Sequence, residues 1–469
     1  MIYDVAIIGG GPGGYVAAIR AAQLGGKVLL VEKDSLGGVC LNRGCIPTKT
    51  LLKSAEKWED LKHCGEFGLK AEGIGFDYGA IVARQKAVVT QLRGGIEQLV
   101  KSNDITVIKG RAALTDSNRL EVAVDDRGNH QSFEARKIII ATGSAPSRMT
   151  IPGCHLPDVI TSDELLALTQ VPQSLLVIGA GVVGIEFAAI MSAFGCQVTV
   201  VEMLPNILPS VDNDIIKRMG LLLRKRGIKI LAGASVTAIA ATDDGVAVNV
   251  ETGKNMQQFH AEKVLVATGR RPVVEGLGLE AAGVAYNRSG ITVNEKMETS
   301  IANIYAIGDV TGQNMLAHVA STAGMVAAEN AMGLNSRMEY NAVPSCIFTT
   351  PEIAMVGLTE AEALDGNLDI KVSKFNFAAN GKAVSMGETD GMVKIVADAS
   401  SGKLLGMHIL GPHASDLIME GTLAVRNKLT AGDVAHTIHP HPTLSETVME
   451  SAHGIDGAII HQVRQKKVK

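Results

Sequence analysis

The sequence predicts an α/β protein of several domains, in which two similar βαβ units precede a C-terminal α+β part. Three observations lead to this prediction: the length of the chain, its aliphatic and glycine-rich composition, and a glycine motif that occurs twice. The chain has 469 residues, more than one hydrophobic core usually accommodates. Hydrophobic residues make up 46%, aromatic residues only 3%, and 51 residues are glycine. This composition favours aliphatic α/β layers joined by tight turns.

The first βαβ unit lies at the start of the chain. The apolar run Asp4–Ile8 leads into the glycine-rich loop 9–14. A helix of small residues is predicted over Tyr15–Leu24, and a second strand over Lys27–Val31, which leads into Glu32. Strand, glycine loop, helix, strand and acid follow one another as in a nucleotide-binding βαβ unit.

The second unit repeats this order. The apolar run Leu175–Ile178 leads into the loop 179–184, followed by a helix predicted over Ile185–Phe194 and a strand over Gln197–Val201, which leads into Glu202. In both units the acid lies 23 residues after the first glycine. The repeat therefore concerns a whole supersecondary unit and not a short motif alone.

The glycines of both loops occupy the positions that a bound pyrophosphate requires. The first glycine makes the tight turn, the second lets the backbone approach the phosphates, and the third lets helix and strand pack closely. The helix N-terminus then binds the phosphates through its free N–H groups and its dipole. One such motif is a weak signal, whereas two in register with strand, helix and acid predict two dinucleotide sites. The glycines concerned are Gly9, Gly11, Gly14, Gly179, Gly181 and Gly184.

Three further apolar strands end in Thr-Gly or Gly-Asp, and the pattern of predicted secondary structure changes after them. Their ends are Thr142-Gly143, Thr268-Gly269 and Gly308-Asp309. Beyond residue 343, short strands are predicted over Ser345–Thr349, Gly391–Ala397 and Leu404–Leu410, and helices over Ser415–Arg426 and Thr443–His453. This pattern is typical of a separate α+β domain.

Charge and targeting signals exclude several classes of protein. The net charge is −4, and the only basic block, Arg464–Lys469, is interpreted as a solvated end and not as a nucleic-acid arm. The chain opens without a basic n-region or a cleavage site, so no secretory signal is expected. The charge-free stretch Leu165–Ile185 is interrupted by polar residues, proline and glycine, which argues against a membrane span. A cytoplasmic protein is expected.

Cys40 and Cys45 follow the first unit directly and form the most informative pair in the sequence. Free cysteines are often small buried hydrophobes, which is the alternative interpretation. A thiol/disulfide pair is favoured because the two cysteines lie beside a nucleotide loop. Residues five apart in a regular helix point to different faces, so the pair needs a bend. Gly44 and Pro47 are residue types that permit one.

The run from Gly37 to Lys49 resembles the active-site segment of the flavin-dependent pyridine nucleotide-disulfide oxidoreductases, class I, and the resemblance covers the whole chain. The run His439–Glu446, together with Glu202, resembles the dihydrolipoamide dehydrogenases within that family. The resemblance implies two Rossmann-like dinucleotide-binding domains plus a C-terminal α+β dimerisation domain. The expected boundaries are 1–145 for the FAD-binding domain, 146–270 for the NAD-binding domain, 271–342 for a segment completing the FAD domain, and 343–469 for the dimerisation domain.

The two nucleotide sites are expected to hold different cofactors. The first is assigned to FAD, since its ligand should lie against the cysteines, and the second to NAD. Glu202 would accept from the ribose 2′-OH, and no Lys or Arg between Glu202 and Asp214 is available for an NADP phosphate. The predicted FAD residues are Gly9, Gly11, Gly14, Glu32, Lys33, Lys49, Ala112, Thr142, Gly143, Ser144, Asp309, Met315, Leu316, Ala317 and His318. The predicted NAD residues are Gly179, Gly181, Gly184, Glu186, Glu202 and Gly269.

Several of these assignments rest on the resemblance and have structural alternatives. The family implies that Lys49 lies at the flavin and pairs with Glu186, whereas the sequence alone also allows an exposed lysine and an acid in the first turn of a helix. The family places Asp309 on the ribityl hydroxyls, and a helix cap is the alternative. His318 lies in a segment similar to the family's loop under the flavin ring, and is otherwise an ordinary helix histidine.

A base is needed near the cysteines, because oxidation of a dithiol releases protons and histidine titrates near neutrality. His441 resembles the family's base, and Glu446 resembles the carboxylate that orients it. A capping box formed by Thr443 and Glu446 at a helix start is the alternative role for the acid.

The resulting functional expectation is a homodimer that oxidises protein-bound dihydrolipoyl groups and passes the electrons through the Cys40–Cys45 disulfide and FAD to NAD. Cys40 would exchange with the substrate, and Cys45 would contact the flavin. The lipoyl domain is expected on a separate acyltransferase or carrier protein of a 2-oxo acid dehydrogenase or glycine-cleavage system. Two alternative functions remain: a disulfide reductase for a small substrate, and a non-catalytic flavoprotein.

Overall fold

The computed structural model describes residues 2–124 and 129–463. The basic block Arg464–Lys469 lies outside the described residues. Three large sheets follow one another along the described chain, two of them built mainly or wholly from parallel strands and the last from antiparallel strands.

The first part of the chain builds the first sheet and the helices that cover it. Its elements are β1 (Ile2–Ile8), α1 (Pro12–Gln23), β2 (Val28–Glu32), α2 (Gly38–Arg43), α3 (Cys45–Lys62), a 3₁₀ turn (Cys64–Phe67), α4 (Tyr78–Ser102), β3 (Thr106–Lys109), β4 (Arg111–Leu114), β5 (Arg119–Ala123), β6 (His130–Ile140) and β7 (Ser144–Pro146).

The second part builds the second sheet and a small antiparallel sheet. Its elements are β8 (Val159–Ile160), α5 (Ser162–Leu165), β9 (Ser174–Ile178), α6 (Val182–Ala193), β10 (Gln197–Glu202), α7 (Asn213–Lys225), β11 (Lys229–Ala232), β12 (Ala234–Thr242), β13 (Gly245–Thr252), β14 (Asn255–Ala261) and β15 (Lys263–Val266).

The third part returns to the first sheet. Its elements are β16 (Arg270–Pro272), β17 (Tyr286–Asn287), β18 (Gly290–Ile291), β19 (Ile304–Ala306), a 3₁₀ turn (Gly308–Thr311) and α8 (Ala317–Ala331). The last part contains β20 (Ser345–Ile347), β21 (Glu352–Gly357), α9 (Glu360–Asp365), β22 (Ile370–Asn376), a 3₁₀ turn (Phe377–Ala379), α10 (Gly381–Met386), β23 (Met392–Asp398), β24 (Leu404–Gly411), α11 (Ala414–Arg426), α12 (Ala431–His436), α13 (Glu446–His453) and a 3₁₀ turn (Gly454–Asp456).

The first sheet has the strand order β3-β2-β1-β6-β5-β4, and β19 pairs with β6. Strands β2, β1, β6 and β19 are parallel, with Ile8 opposite Val31 and opposite Ile140, and Ile140 opposite Ala306. Their carboxyl ends therefore reach the same edge. The strand order reverses at β1, so this edge has the crevice in which α/β sheets bind ligands.

The second sheet repeats the arrangement, with the order β11-β10-β9-β15-β8 and only parallel neighbours. The last sheet, β20-β21-β24-β23-β22, is antiparallel and packs against helices. Two nucleotide-type sheets followed by an α+β part confirm the predicted fold class.

Small residues allow α1 and α8 to approach closely over the first sheet. A Cβ at Gly324 would lie 2.4 Å from the Gly13 carbonyl oxygen, and a Cβ at Gly13 would lie 2.8 Å from the Ala320 carbonyl oxygen. Buried aliphatic residues of β1 and β2 pack below them, with Val5, Ile7 and Leu30 fully buried. The small-residue helix of the sequence is thus a packing surface, and helix packing holds the glycine loop against the sheet.

A buried ion network joins the second and last parts of the chain. The Lys394 ammonium on β23 lies 2.8 Å from Asp212, at the start of α7, and 2.6 Å from both Asp214 and Glu360. Lys394 and Asp212 are each 1% exposed, so the pairing compensates the cost of burying these charges.

Three predicted helix starts are wrong. Helix α1 begins at Pro12 and not Tyr15, and α6 begins at Val182 and not Ile185, because the second glycine of each loop is already the N-cap. Helix α13 begins at Glu446 and not Thr443. The Thr443 hydroxyl donates to the Pro440 carbonyl oxygen instead of capping that helix.

Over residues 2–124 and 129–463, no helix combines the length and the hydropathy that crossing a membrane requires.

Candidate active site

The first glycine loop has a backbone that only glycine permits. Gly9 has a φ of +107°, and a Cβ there would lie 2.3 Å from the Ala141 carbonyl oxygen. A Cβ at Gly14 would lie 1.8 Å from the Gly9 carbonyl oxygen. Gly11 is the N-cap of α1 and brings no capping side chain, so the amides at the helix start are left for a ligand. A phosphate fits this position.

Glu32 fixes the same loop. Its two carboxylate oxygens accept from the Gly10 and Asp34 amides at 2.7 Å each. Each oxygen keeps a further lone pair with which it can accept a ribose hydroxyl. A cavity of about 890 Å³ lies beside it, lined among others by Leu36, Arg93 and Lys109.

Two further predicted residues flank this region. Lys33 is exposed next to Glu32, and Ala112 is buried in β4. The Gly110 amide donates to the Glu32 carbonyl oxygen at 2.9 Å and joins the end of β2 to the start of β4.

A hydrogen-bond chain lies at the carboxyl end of β6. The Ser144 hydroxyl donates to Asp309 at 2.5 Å and accepts from Arg270 Nε at 2.7 Å. The Thr142 hydroxyl donates to the Val273 carbonyl oxygen at 2.8 Å. Asp309 lies inside a 3₁₀ turn whose N-cap is Ile307, so the capping alternative for Asp309 is wrong. Its remaining oxygen is available to a polyhydroxy ligand at the same sheet edge.

The predicted segment 315–318 starts α8. Met315 and Leu316 precede the helix, which begins at Ala317. His318 Nε2 lies 2.9 Å from the Pro344 carbonyl oxygen, to which it donates. His318 therefore connects α8 to the start of the last part of the chain.

The cysteine pair lies at a break between two helices. Helix α2 ends at Arg43, Gly44 has φ −141° and ψ −110°, and α3 begins at Cys45. A Cβ at Gly44 would lie 3.0 Å from the Val39 carbonyl oxygen and 3.3 Å from the Cys40 Cα, so glycine allows the two helices to approach. The predicted bend is present, and it brings the two thiols together.

Both cysteines are half-buried free thiols, and they share a hydrogen bond. That bond from Cys40 lowers the pKa of Cys45 to about 7, against the effect of burial and with help from the Lys49 ammonium. The same bond, together with burial, raises the pKa of Cys40. Cys45 is therefore the thiolate of the reduced pair, and Cys40 keeps its proton and donates to it.

Lys49 lies between three segments of the chain. Its ammonium is 2.9 and 3.0 Å from the two oxygens of Glu186, which is the pairing that the family resemblance implied. Glu186 is 4% exposed and also accepts from the Phe348 amide at 2.8 Å. The Lys49 ammonium lies 4.4 Å from the centre of the Phe348 ring. Glu186 is the fifth residue of α6, so the first-turn alternative for it is wrong.

The second glycine loop repeats the backbone of the first. Gly179 has a φ of +103°, and a Cβ at Gly184 would lie 2.0 Å from the Gly179 carbonyl oxygen. Glu202 accepts from the Ala180 amide at 2.6 Å and from the Leu204 amide at 2.8 Å. A Cβ at Gly181 would meet nothing within 4 Å, so this loop lies open.

Gly269 follows β15 at the same edge of the sheet, with a φ of +115° and open space around it. The residues of the second loop and its acid therefore fit a second dinucleotide.

His441 and Glu446 form a pair at the start of α13. His441 Nδ1 lies 2.9 Å from one Glu446 oxygen, and the other oxygen accepts from the Thr443 amide at 2.8 Å. Burial raises the pKa of Glu446, but the bonds from Thr443 and His441 outweigh it and lower the pKa overall. A carboxylate can only accept, so Nδ1 carries the hydrogen and Nε2 is left as an acceptor.

The predicted capping box is present only in half, because the Thr443 hydroxyl does not return a bond to Glu446. The His441 side chain is 78% exposed. Within the described ranges, His441 has no hydrogen bond or ion pair with Cys40 or Cys45.

The sequence missed two residues of this site. Arg270 holds Ser144 through Nε and also donates to the Ser144 carbonyl oxygen at 2.9 Å. Phe348 contacts both members of the Lys49–Glu186 pair. Arg270 directly follows Gly269, which was a usable signal, whereas no motif marks Phe348.

Comparison with known proteins agrees with this geometry. Residues 3–324 match the family described as pyridine nucleotide-disulphide oxidoreductase, and residues 343–452 match its dimerisation domain. A dihydrolipoyl dehydrogenase of Bacillus subtilis is 44% identical over 98% of this chain and 99% of the relative. One of Thermus scotoductus is 44% identical over 98% of each chain.

Solved structures also match over nearly the whole chain. LpdA from Mycobacterium tuberculosis superposes with a TM-score of 0.89 at 29% identity, covering 96% of this chain and 99% of LpdA. RclA from Escherichia coli, a HOCl-induced flavoprotein disulfide reductase, superposes in its Cu(II) complex with a TM-score of 0.87 at 29% identity, covering 96% and 99%. The chain belongs to the pyridine nucleotide-disulphide oxidoreductase family.

Proposed function

We propose that this protein oxidises the dithiol of protein-bound dihydrolipoyl groups to the disulfide, with NAD as the electron acceptor. The observation that carries the proposal is the Cys40–Cys45 pair, in which one thiol has a lowered pKa, next to the first of two dinucleotide loops. Dihydrolipoyl dehydrogenases that are 44% identical over almost the full chain support it. The family uses FAD and NAD.

The surroundings of the two loops support FAD at the first and NAD at the second. A Cβ at Gly38, the first residue of α2, would lie 2.6 Å from the Gly11 Cα, so the helix that carries Cys40 covers the first loop. A ligand at the first loop would lie beside the helix that carries Cys40, whereas a ligand at the open second loop could exchange. When bound, the flavin supplies two-electron acceptance from the thiols and hydride transfer to NAD.

The FAD site would use Gly9, Gly11, Gly14, Glu32, Lys33, Lys49, Ala112, Thr142, Gly143, Ser144, Asp309 and residues 315–318. The NAD site would use Gly179, Gly181, Gly184, Glu186, Glu202 and Gly269. The domain division that we propose follows from this assignment: 1–145 for FAD, 146–270 for NAD, 271–342 returning to the FAD domain through β19, and 343–469 for dimerisation.

The two cysteines divide the thiol chemistry between them. A dihydrolipoyl thiolate attacks Cys40 Sγ, the Cys40–Cys45 bond breaks, and Cys45 leaves as a thiolate. Its lowered pKa makes it the better leaving group. The second substrate thiolate then attacks the substrate sulfur of the mixed disulfide and releases Cys40. The substrate dithiol becomes a disulfide, the protein disulfide becomes a dithiol, and the proton balance requires a base.

His441 supplies this base through Nε2, and Glu446 orients it through Nδ1. The chain carries the family's dimerisation domain, which supports a homodimer. An imidazole that is 78% exposed fits a role at a site completed by the partner subunit. We further place the lipoyl group on a separate acyltransferase or carrier protein. We place the reaction in the cytoplasm, where the thiols outside the Cys40–Cys45 pair stay reduced.

Reductive titration tests the proposal. Dihydrolipoamide should reduce the purified holoenzyme with the appearance of a long-wavelength thiolate-to-flavin band, and NAD should then reoxidise it. Cys45→Ser should lose the band, and Cys40→Ser should keep it, while both lose more than about 10³-fold in turnover. If the band follows Cys40 instead, the two thiol roles are reversed. If dihydrolipoamide does not reduce the protein, the proposed function is wrong.

A mixed dimer tests the shared site. One Cys40→Ser subunit and one His441→Gln subunit should together give one intact site and one doubly altered site. Each heterodimer should therefore have about half of the wild-type activity, and random subunit exchange between equal amounts of the two homodimers should restore about a quarter in the mixture. The homodimers themselves contribute little, because loss of a general base costs roughly 10²–10⁴-fold. If heterodimers form and no activity returns, His441 serves its own chain.

A disulfide reductase for a small substrate is the second candidate, since the protein superposes on RclA with a TM-score of 0.87. Turnover with glutathione disulfide or a metal ion that exceeds turnover with lipoamide would favour it.

A further inference from the structure

His439 lies two residues before His441 but has a different environment. Its side chain is 5% exposed, whereas that of His441 is 78% exposed. Both of its ring nitrogens have partners: Nδ1 lies 2.7 Å from the Thr437 carbonyl oxygen, and Nε2 lies 2.8 Å from Glu420 Oε1 on α11. The sequence assigned His439 no role, and the structure gives it two short contacts.

Both partners of His439 are acceptors. A backbone carbonyl cannot donate a hydrogen bond, and an ionised carboxylate can only accept. Both acceptors are satisfied when each ring nitrogen carries a hydrogen, and in that form the ring makes a charge-assisted bond to the Glu420 carboxylate. His441, in contrast, uses only Nδ1 and keeps Nε2 free.

We propose that the His439–Glu420 pair is a positioning pair for the reaction, which anchors the loop 437–441 to α11 and leaves no net charge of its own beside His441. This inference rests on the proposed function, in which His441 is the base. The loop is then held on both sides of His441. Before His441, His439 contacts Glu420 on α11, and after it, Glu446 contacts His441 and the Thr443 amide.

The opposite charges of His439 and Glu420 offset each other, so removing only one of them changes the net charge near His441. The His439 cation is one of the causes that lower the pKa of Glu446, so the two groups interact. Without Glu420, the cation alone would disfavour a proton on His441. Without His439, the Glu420 anion alone would hold that proton more firmly. Other titratable or charged groups on the elements around the loop are His436 on α12, His453 on α13, Lys382 on α10, and His413 and Asp416 at the start of α11.

The acid limb of the pH profile of kcat/KM tests the pair, because it reports the protonation of the base in the free enzyme. In the holoenzyme with dihydrolipoamide and NAD, His439→Gln should move the limb to higher pH by about half a unit and lower turnover. Glu420→Gln should not move it upward. The double variant His439→Gln/Glu420→Gln removes both charges and should return the limb to its wild-type position, although the loop anchor is lost.

A purely structural role would lower activity or melting temperature in all three variants and leave the limb in place, and that result would overturn the inference. A double variant that keeps the shifted limb would also overturn it. If His439→Gln yields no folded protein, His439→Lys decides, because it keeps a cation beside Glu420. A folded His439→Lys with the wild-type limb supports the inference, and an unfolded protein or a displaced limb overturns it. Absence of dihydrolipoamide turnover in the wild type would instead reject the proposed function.

Discussion

The two glycine-rich loops have nearly the same backbone and open onto different surroundings. Their first glycines have φ values of +107° and +103°, and a Cβ at the third glycine would lie 1.8 or 2.0 Å from the carbonyl oxygen of the first. In both loops, the acid accepts from the amide that follows the first glycine, at 2.7 and 2.6 Å. Local geometry therefore does not distinguish the two sites.

The difference lies in what covers each loop. Gly11 faces the start of α2, whereas a Cβ at Gly181 would meet nothing within 4 Å. The first loop is followed by the cysteine pair and the Lys49–Glu186 contact, and the second is followed by the exposed Met203. The motif specifies that a dinucleotide binds, and the neighbouring segments decide whether it stays bound and what it reacts with.

The largest expected effect comes from adding one methyl group at the second glycine of each loop. Gly11 and Gly181 have ordinary backbone angles, with φ of −70° and −73°, so alanine can adopt them without strain. The methyl would occupy the path of the pyrophosphate. Gly11→Ala should purify with little flavin and lose about 10²-fold or more in turnover. Gly181→Ala should keep its flavin and raise the KM for NAD about tenfold, which corresponds to about 1.4 kcal/mol.

The measurement is flavin absorbance per subunit, together with steady-state kinetics. Equal melting temperatures of the flavin-free proteins would show that the fold is intact in both variants. Loss of flavin from Gly181→Ala, with flavin retained in Gly11→Ala, would reverse the cofactor assignment.

The glycine loops could be predicted from the sequence because each is specified within about thirty residues by steric rules. The site around the cysteines could be predicted only in part. The Lys49–Glu186 pair joins positions 137 residues apart, and the Glu186–Phe348 bond joins positions 162 apart. No local period or spacing reports such contacts, so the first came only from the family resemblance and the second was missed.

The histidine motif shows the same limit. His441 and Glu446 lie five positions apart and could be predicted as a pair. The contact of His439 with Glu420 depends on how α11 packs against the loop, and no local spacing of residues predicts it. Helix starts were misplaced where glycine is the N-cap, because glycine has a low helix propensity.

The next effect concerns the nucleotide preference and is expected from changing the acid of the second loop. Replacing Glu202 by Ala removes the acceptor for the ribose 2′-OH, and Met203→Arg adds a cation at a residue that is 71% exposed. The double variant should shift the ratio of kcat/KM for NADP over NAD upward by about 10²-fold, as expected for a lost hydrogen bond to a charged group and a gained phosphate contact.

Met203→Arg alone is the matched control and should shift the ratio less. The corresponding change in the first loop, Glu32→Ala, should lower flavin content without altering the preference between the nucleotides. A wild-type protein that already prefers NADP would contradict the assignment of Glu202.

The smallest effect concerns the ring that only the first site possesses. Phe348 holds the Lys49 ammonium at 4.4 Å from its ring centre, and Lys49 helps to lower the pKa of Cys45 to about 7. A cation–π contact contributes about 0.5–2 kcal/mol, and one pKa unit corresponds to about 1.36 kcal/mol. Phe348→Leu should therefore raise the pKa of Cys45 by up to about one unit, whereas Phe348→Tyr, which keeps the ring, should leave it unchanged.

The sign follows from the charge of the thiolate. Cys45 is ionised above its pKa and neutral below it, so raising the pKa lowers the thiolate fraction at pH 7 from about half to as little as about a tenth. The rate of alkylation of the reduced protein as a function of pH measures this fraction. The Phe348 amide still donates to Glu186 in both variants, because that bond uses the backbone. An equal shift of the Cys45 pKa in Phe348→Leu and Phe348→Tyr would mean that packing at position 348 matters and the ring does not. No shift in either variant would mean that Glu186 alone holds Lys49.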